Sequence, residues 1–341
     1  MVPRFATLGR IPKGVWVLGG VSLLMDVSSE MIHSLLPLFM ATTLGASVII
    51  IGLIEGLAEA TALILKVFSG AISDYVGKRK GLALLGYGLG ALSKPLFAIA
   101  PTAGVVFSAR MIDRVGKGIR GAPRDALVAD VTPPEIRGAA YGLRQALDTV
   151  GAFLGPLLAV LLMFIWANDF HAIFWVAVIP AVLSILLLGF GLQEPKSAIA
   201  HKRSNPLKRE NLKKLSKLSD SMSHSKLLQW GLLVLILADI VLALSGHWST
   251  LLIGVALWGI HMGMTQGLLA AMVAHTAPPE LRGTAFGMFN LMSGLALLLA
   301  STGAGVLWET FGAASTFYAG AIICVVTLIG MRVMPSAYRQ D

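Results

Sequence analysis

The sequence predicts an all-α polytopic membrane protein with about ten transmembrane helices. Three observations point there. Of the 341 residues, 56% are hydrophobic and 13% charged, where soluble domains carry roughly 25% charge. Mean hydropathy is +0.78. The apolar residues also gather into long runs instead of dispersing. A spanning helix takes about 20 apolar residues, so the chain has room for roughly ten to twelve passes with their turns. A soluble enzyme, a secreted disulfide scaffold and a disordered tail are excluded by this composition.

In chain order the apolar runs read as helices over 14–42, 47–72, 81–100, 103–129, 138–166, 171–192, 227–246, 249–275, 283–307 and 313–334, parted by short turns rich in Gly, Pro, Asp and Asn. The first run is too long for a cleavable signal, carries Asp26 and Glu30, and lacks a small-residue cleavage site, so it is expected to remain as a span. At about 100° per residue, Asp26, Glu30 and His33 share one stripe of that helix, with Pro37 continuing it. Glu55, Glu59 and Lys66 share a stripe of the second. Arg110, Asp113, Arg114, Lys117, Arg120 and Arg124 share a face of the fourth, and Arg144 with Asp148 a face of the fifth. In the second half the polar candidates are Asp239, His261, Gln266 and His275. The single cysteine, Cys324, lies in the last run, so no internal disulfide can form.

The charge of +9 is concentrated. Residues 196–226 hold nine Lys or Arg against Glu210 and Asp220, which accounts for +7 of it. Arg4, Arg10, Lys13, Lys78, Arg79, Lys80, Arg137, Arg282, Arg332 and Arg339 fall on the same side of the predicted topology as that loop. The opposite turns, near 43–46, 101–102, 167–170, 247–248 and 308–312, contain no Lys or Arg. By the positive-inside rule both termini and the basic loop face the cytoplasm. The basicity thus reads as an orientation signal and not as a nucleic-acid surface.

A repeat divides the chain. Pro133-Pro134-Glu135-Ile136-Arg137-Gly138-Ala139-Ala140-Tyr141-Gly142 recurs 145 residues later as Pro278-Pro279-Glu280-Leu281-Arg282-Gly283-Thr284-Ala285-Phe286-Gly287, and Ile72-Ser73-Asp74 is echoed by Leu218-Ser219-Asp220 at 146. Repeated halves suggest a transporter with its site between them. The halves are unequal: 59 residues (14–72) lead to the first Ser-Asp, but only 24 (195–218), polar and basic, to the second. Helices three to six therefore correspond to seven to ten, and partners for the first two are absent. The expected units are a six-helix bundle over 1–194, a basic linker over 195–226 and an incomplete four-helix bundle over 227–341.

The motifs resemble those of the major facilitator superfamily. Gly70-Ala71-Ile72-Ser73-Asp74-Tyr75-Val76-Gly77-Lys78-Arg79-Lys80 is similar to the family signature between the second and third helices, with Tyr75 where a basic residue is usual. Ala109-Arg110, Gly116 and Ala129-Asp130 resemble the fourth-helix signature, with Arg114 replacing a glycine. Gly151-Ala152-Phe153-Leu154-Gly155-Pro156 resembles the fifth-helix motif of exporters, with Ala159 and Val160 where glycines usually close it. The resemblance implies two six-helix bundles joined by a cytoplasmic loop, here with ten helices (6 + 4) remaining from a plan of twelve.

Site expectations follow. Gly70 and Gly77 allow close approach and a tight reversal. Asp74 is placed to accept hydrogen bonds at a helix start across the bundle interface, and Gly70, Asp74, Gly77, Lys78 and Arg79 form the gating motif. Intramembrane charge is costly and faces a cavity or partner. This makes Asp26, Glu30, His33, Glu55, Glu59, Arg110, Asp113, Arg114, Arg144 and Asp148 the candidates for substrate or proton coupling, with Arg110 and Arg114 contacting an anion or poising a carboxylate. Gly151, Gly155 and Pro156 read as close helix packing. No cofactor or metal is expected, because the second-half polar residues lack metal-site spacing. No phosphate loop marks an ATPase, and no nucleophile, base or metal constellation marks an intramembrane enzyme. The sequence thus predicts a secondary transporter of the inner or plasma membrane, moving a small solute by alternating access, with protons as the coupling partner and export as the direction. The rival is a non-transporting remnant or interaction protein whose incomplete second bundle leaves a groove to lipid or another subunit.

Overall fold

A computed structural model describes residues 10–193 and 225–333. The helices are α1 (Lys13–His33), α2 (Leu36–Thr42), α3 (Val48–Val76), α4 (Arg79–Ala98), α5 (Ala103–Val131), α6 (Arg137–Ile165), α7 (Phe170–Gly191), α8 (Ser225–Ala243), α9 (Trp248–Thr276), α10 (Arg282–Phe311) and α11 (Ala313–Val333). The repeated Pro-Pro-Glu turns form matching 3-10 turns, Pro134–Ile136 and Pro279–Leu281. The run over 14–42, expected as one helix, is divided into α1 and α2. Pro37 has no N–H to continue the ladder, and the backbone steps at Ser34 and Leu35 before resuming. Counted as spans, α1 and α2 form one pass, so the described residues supply the ten expected. The predicted basic linker lies almost wholly outside the described residues.

Local chemistry sets the helix ends. Ser47, Thr102 and Asp169 accept hydrogen bonds from the first turns of α3, α5 and α7. At the C-terminus of α3, Gly77 takes φ +69°, the left-handed conformation that glycine adopts without steric penalty. Among the described residues, seven spans are long and apolar enough to cross a bilayer on length and composition. The 29-residue α5 does not meet that standard, because its face of arginines, Lys117 and Asp113 interrupts the apolar run.

Small residues bring the helices together. A methyl at Gly116 of α5 would lie 2.5 Å from the Gly86 carbonyl of α4. One at Gly118 would lie 2.6 Å from Leu65 Cβ of α3, so α5 is wedged between α3 and α4. Gly151 and Gly155 of α6 meet α1 in the same way, at the carbonyls of Leu23 and Val27. Two apolar clusters fill the interior. One, around Leu18, Met25, Tyr87, Leu127 and Tyr141, lies toward the basic end where residues 77–80, 137 and 282 sit. The other, around Met31, Leu36, Phe39, Phe97 and Phe174, lies toward the opposite end. A charged layer separates them.

Candidate functional site

The basic end is closed by a polar clasp joining the first half to the second. Asp74, near the end of α3, accepts from the backbone N–H of Gly283 (2.9 Å) and of Thr284 (2.6 Å) and from the Thr284 hydroxyl (2.8 Å). These are the first donors of α10, which have no intrahelical acceptor, so a carboxylate from α3 caps a helix some 200 positions away. The approach requires glycine on both sides: a methyl at Gly70 would sit 2.0 Å from the Gly283 carbonyl oxygen. Arg79 holds the clasp from below, donating to Asp74 (2.9 Å), Asp130 (2.8 Å) and the Pro279 carbonyl (2.8 Å). Arg282 donates to the other oxygen of Asp130 at 2.7 Å. One carboxylate at the end of α5 therefore serves guanidinium groups from both halves.

Behind the clasp is a cavity of about 320 Å³ lined by Asp26, Glu30, Lys66, Lys117, Arg120, Gly121, Arg124, Asp125, Gln145, Asp148, Thr149, Ala152 and Asn290. Arg144 donates to Asp148 at 2.5 Å, and Arg124 donates to Asp125 at 3.0 Å. Deeper toward the opposite end, Lys94 is fully buried and donates to Asp113 (2.8 Å) and Ser29 (3.0 Å). His33 stands 3.5 Å from Asp113 and 3.9 Å from Glu30. Burying an ion is costly, and Lys94, Asp113 and His33 offset that cost by pairing with one another.

The expected coupling residues separate into groups. Asp26, Glu30 and Asp148 line the cavity, with Arg144 bonded at its wall. His33 and Asp113 belong to the buried knot with Lys94. Arg110 and Arg114, expected to contact an anion or poise a carboxylate, sit beside carboxylates of α3: Arg110 donates to Glu55, and Arg114 lies 3.0 Å from Glu59. Neither of those pairs lines the cavity. Gly70, Asp74, Gly77 and Arg79 stand at the clasp and the turn below it, and Lys78 immediately precedes α4. Gly151, Gly155 and Pro156 lie on α6, the two glycines against α1. His261 bonds the Gly231 carbonyl at 2.9 Å, joining α9 to α8.

Sequence reasoning missed Lys94, although a lone lysine in an apolar span is itself a warning of a buried partner. Asp125 was also missed, because it falls off the cationic face that the helical wheel picks out, and its role shows only in its contacts with the adjacent Arg124 and with Arg144 of α6.

The model of the Major Facilitator Superfamily matches residues 18–217 and again 214–340. The chain belongs to this superfamily. It is an integral membrane protein of a family of transporters, which are generally not enzymes. A relative described as an uncharacterized MFS-type transporter of Methanocaldococcus jannaschii is 29% identical over 379 positions, taking in 93% of this chain and 94% of that one. The multidrug resistance protein MdtH of Edwardsiella ictaluri is 30% identical over 154 residues, 45% of this chain and 37% of that protein. Among solved structures, the human organic anion transporter MFSD10 superposes with a TM-score of 0.74 at 17% identity, over 93% of this chain and 98% of that one. At that identity the likeness is one of fold.

Proposed function

We propose that this protein is a proton-coupled secondary transporter that exports a small solute by alternating access. The observation that carries the reading is a charged cavity closed at one end by a clasp of hydrogen bonds and ion pairs, in which Asp74, Arg79, Asp130 and Arg282 join the two halves beside the close approach of Gly70 and Gly283. Two alternative arrangements of such an interface are what alternating access requires. Asp26, Glu30 and Asp148 are the proton-carrier candidates at the cavity, with Glu59 beside Arg114. Similarity to MdtH, named for multidrug resistance, supports export. Positive-inside asymmetry supports cytoplasmic termini in an inner or plasma membrane. The proposed units remain 1–194, 195–226 and 227–341. Inverted vesicles given an imposed pH gradient and a substrate panel test the reading: flux that collapses with the gradient supports it, and no flux of any solute under any gradient overturns it.

One observation favours a second reading, an internally deleted remnant that does not transport. The alignment to the archaeal relative runs over 379 positions while 93% of these 341 residues take part. About 60 positions are therefore unfilled here, the size of two spans with their turns. Inserting a two-helix segment near Lys217 separates the readings, since flux only in the restored protein favours the remnant.

A further inference from the structure

We propose that the cavity binds an anionic solute, a small molecule bearing a carboxylate or phosphate, across Lys66, Lys117 and Arg120. This rests on the transporter reading and deepens it by naming the substrate class.

The lining carries four acids, Asp26, Glu30, Asp125 and Asp148, and four bases, Lys66, Lys117, Arg120 and Arg124. Their pairing is uneven. Asp125 is held by Arg124 at 3.0 Å, with Arg144 at 3.9 Å. Asp148 is held by Arg144 at 2.5 Å, and Glu30 sits 3.9 Å from His33. Among the described residues, Lys66, Lys117 and Arg120 have no carboxylate within 4.0 Å, and Asp26 has no basic group within that range. Three unpaired cations thus share the space with one unpaired carboxylate.

Arg120 is the most telling of the three. It is 5% exposed, its guanidinium lies 4.7 Å from the centre of the Tyr87 ring, and its Nη1 has no hydrogen-bond partner among the described residues. A buried donor left unpaired is destabilising, and a planar guanidinium resting on a ring keeps its edge free for oxyanion recognition. Among the described residues, Lys66 reaches only the amide oxygen of Asn290, at 3.4 Å. Glycines make room for these side chains. A methyl at Gly90 would lie 2.8 Å from Arg120 Nη1, and one at Gly121 would lie 3.4 Å from Lys66 Cε. The arginines that the sequence marks for an anion, Arg110 and Arg114, have carboxylates of α3 beside them. The anion site consequently shifts to their unpaired neighbours.

Thermal unfolding of the purified full chain in detergent, with glutarate, glycerol 3-phosphate, tetraethylammonium and glucose as probes, tests this. A bound ligand stabilises the folded state by mass action. At least one of the two anions is expected to raise the midpoint by about 2–4 °C, while the cation and the sugar do not. Lys117→Gln and Arg120→Gln should each weaken that protection at least about tenfold, with Arg120→Lys retaining part of it. Should Arg120→Gln not yield folded protein, Lys117→Gln and Lys66→Gln decide. Protection by neither anion, protection by tetraethylammonium alone, or full anion protection in folded Lys117→Gln and Lys66→Gln overturns the proposal. Anion protection without vesicle flux would keep this site and remove the transport reading; flux of a cationic solute without anion protection would do the reverse.

Discussion

At Gly138 an added methyl group would meet nothing within 4 Å. At Gly283, its counterpart in the repeat, the same methyl would lie 2.3 Å from Ser73 Oγ and 2.5 Å from the Gly70 carbonyl. The two turns share Pro-Pro-Glu-X-Arg-Gly, the same 3-10 geometry and the same helix start at arginine. Their surroundings differ. Arg282 meets Asp130 and the neighbouring amides meet Asp74, whereas Arg137 donates to the Ala274 carbonyl at 3.2 Å. The second-half equivalent of Asp74, Asp220, lies outside the described residues. A repeat in sequence therefore fixes a repeat in local structure, but the job each copy performs depends on which segment arrives opposite it.

The largest separation between the copies is expected for Gly283→Ala against Gly138→Ala. Overpacking at Gly283 should cost about 1–3 kcal/mol in the closed arrangement and lower vesicle flux by roughly tenfold or more. At Gly138 the effect should stay within about 0.5 kcal/mol. Equal losses at both sites would show that the turns are equivalent after all. Next comes Asp74→Asn, which removes the charge that caps α10 and pairs with Arg79. Losing a cap is worth about 1 kcal/mol, so amide hydrogen exchange at 282–287 should quicken several-fold while 137–142 keeps its rate. Unchanged exchange at both places would break the contrast. A smaller effect is expected from Asp130→Asn, which weakens two charge-assisted hydrogen bonds while keeping their shape. Its loss of flux should exceed that of Arg137→Lys, and comparing the two variants at matched expression checks the order. The smallest change is expected at Glu135→Gln, an exposed site on the first turn, with thermal stability within about 0.5 kcal/mol of the parent.

Much of this was legible in the sequence, and for identifiable reasons. Helix positions followed from apolar runs, because a bilayer forces every backbone group to be satisfied within its own segment. Only Pro37 redivided a predicted element, by interrupting a ladder whose apolar pattern continues through it. The role of Asp74 at a helix start across the interface was legible too, because Gly70 and Gly77 flank it in a motif that resembles a family signature. Partner choice was not legible. Arg110, Arg114, Lys117 and Arg120 all lie on one face of α5, and periodicity cannot say which two find Glu55 and Glu59 on α3 and which two reach the cavity without a carboxylate. Lys94 escaped for the same reason, and so did the contact of Asp125 with Arg144 of α6, because a pair formed between two helices shows only half of itself on each.

The cap that Asp74 places on α10 joins residues 209 and 210 positions apart. α10 is therefore completed by a residue made long before its own. During synthesis Asp74 must wait for the turn it caps. In the proposed alternating-access cycle the same turn would be uncapped each time. Opening the basic end would fray a helix, since Asp74 caps its first turn in the closed arrangement. Turnover would then carry the temperature dependence of a small unfolding event, renewed with every molecule moved.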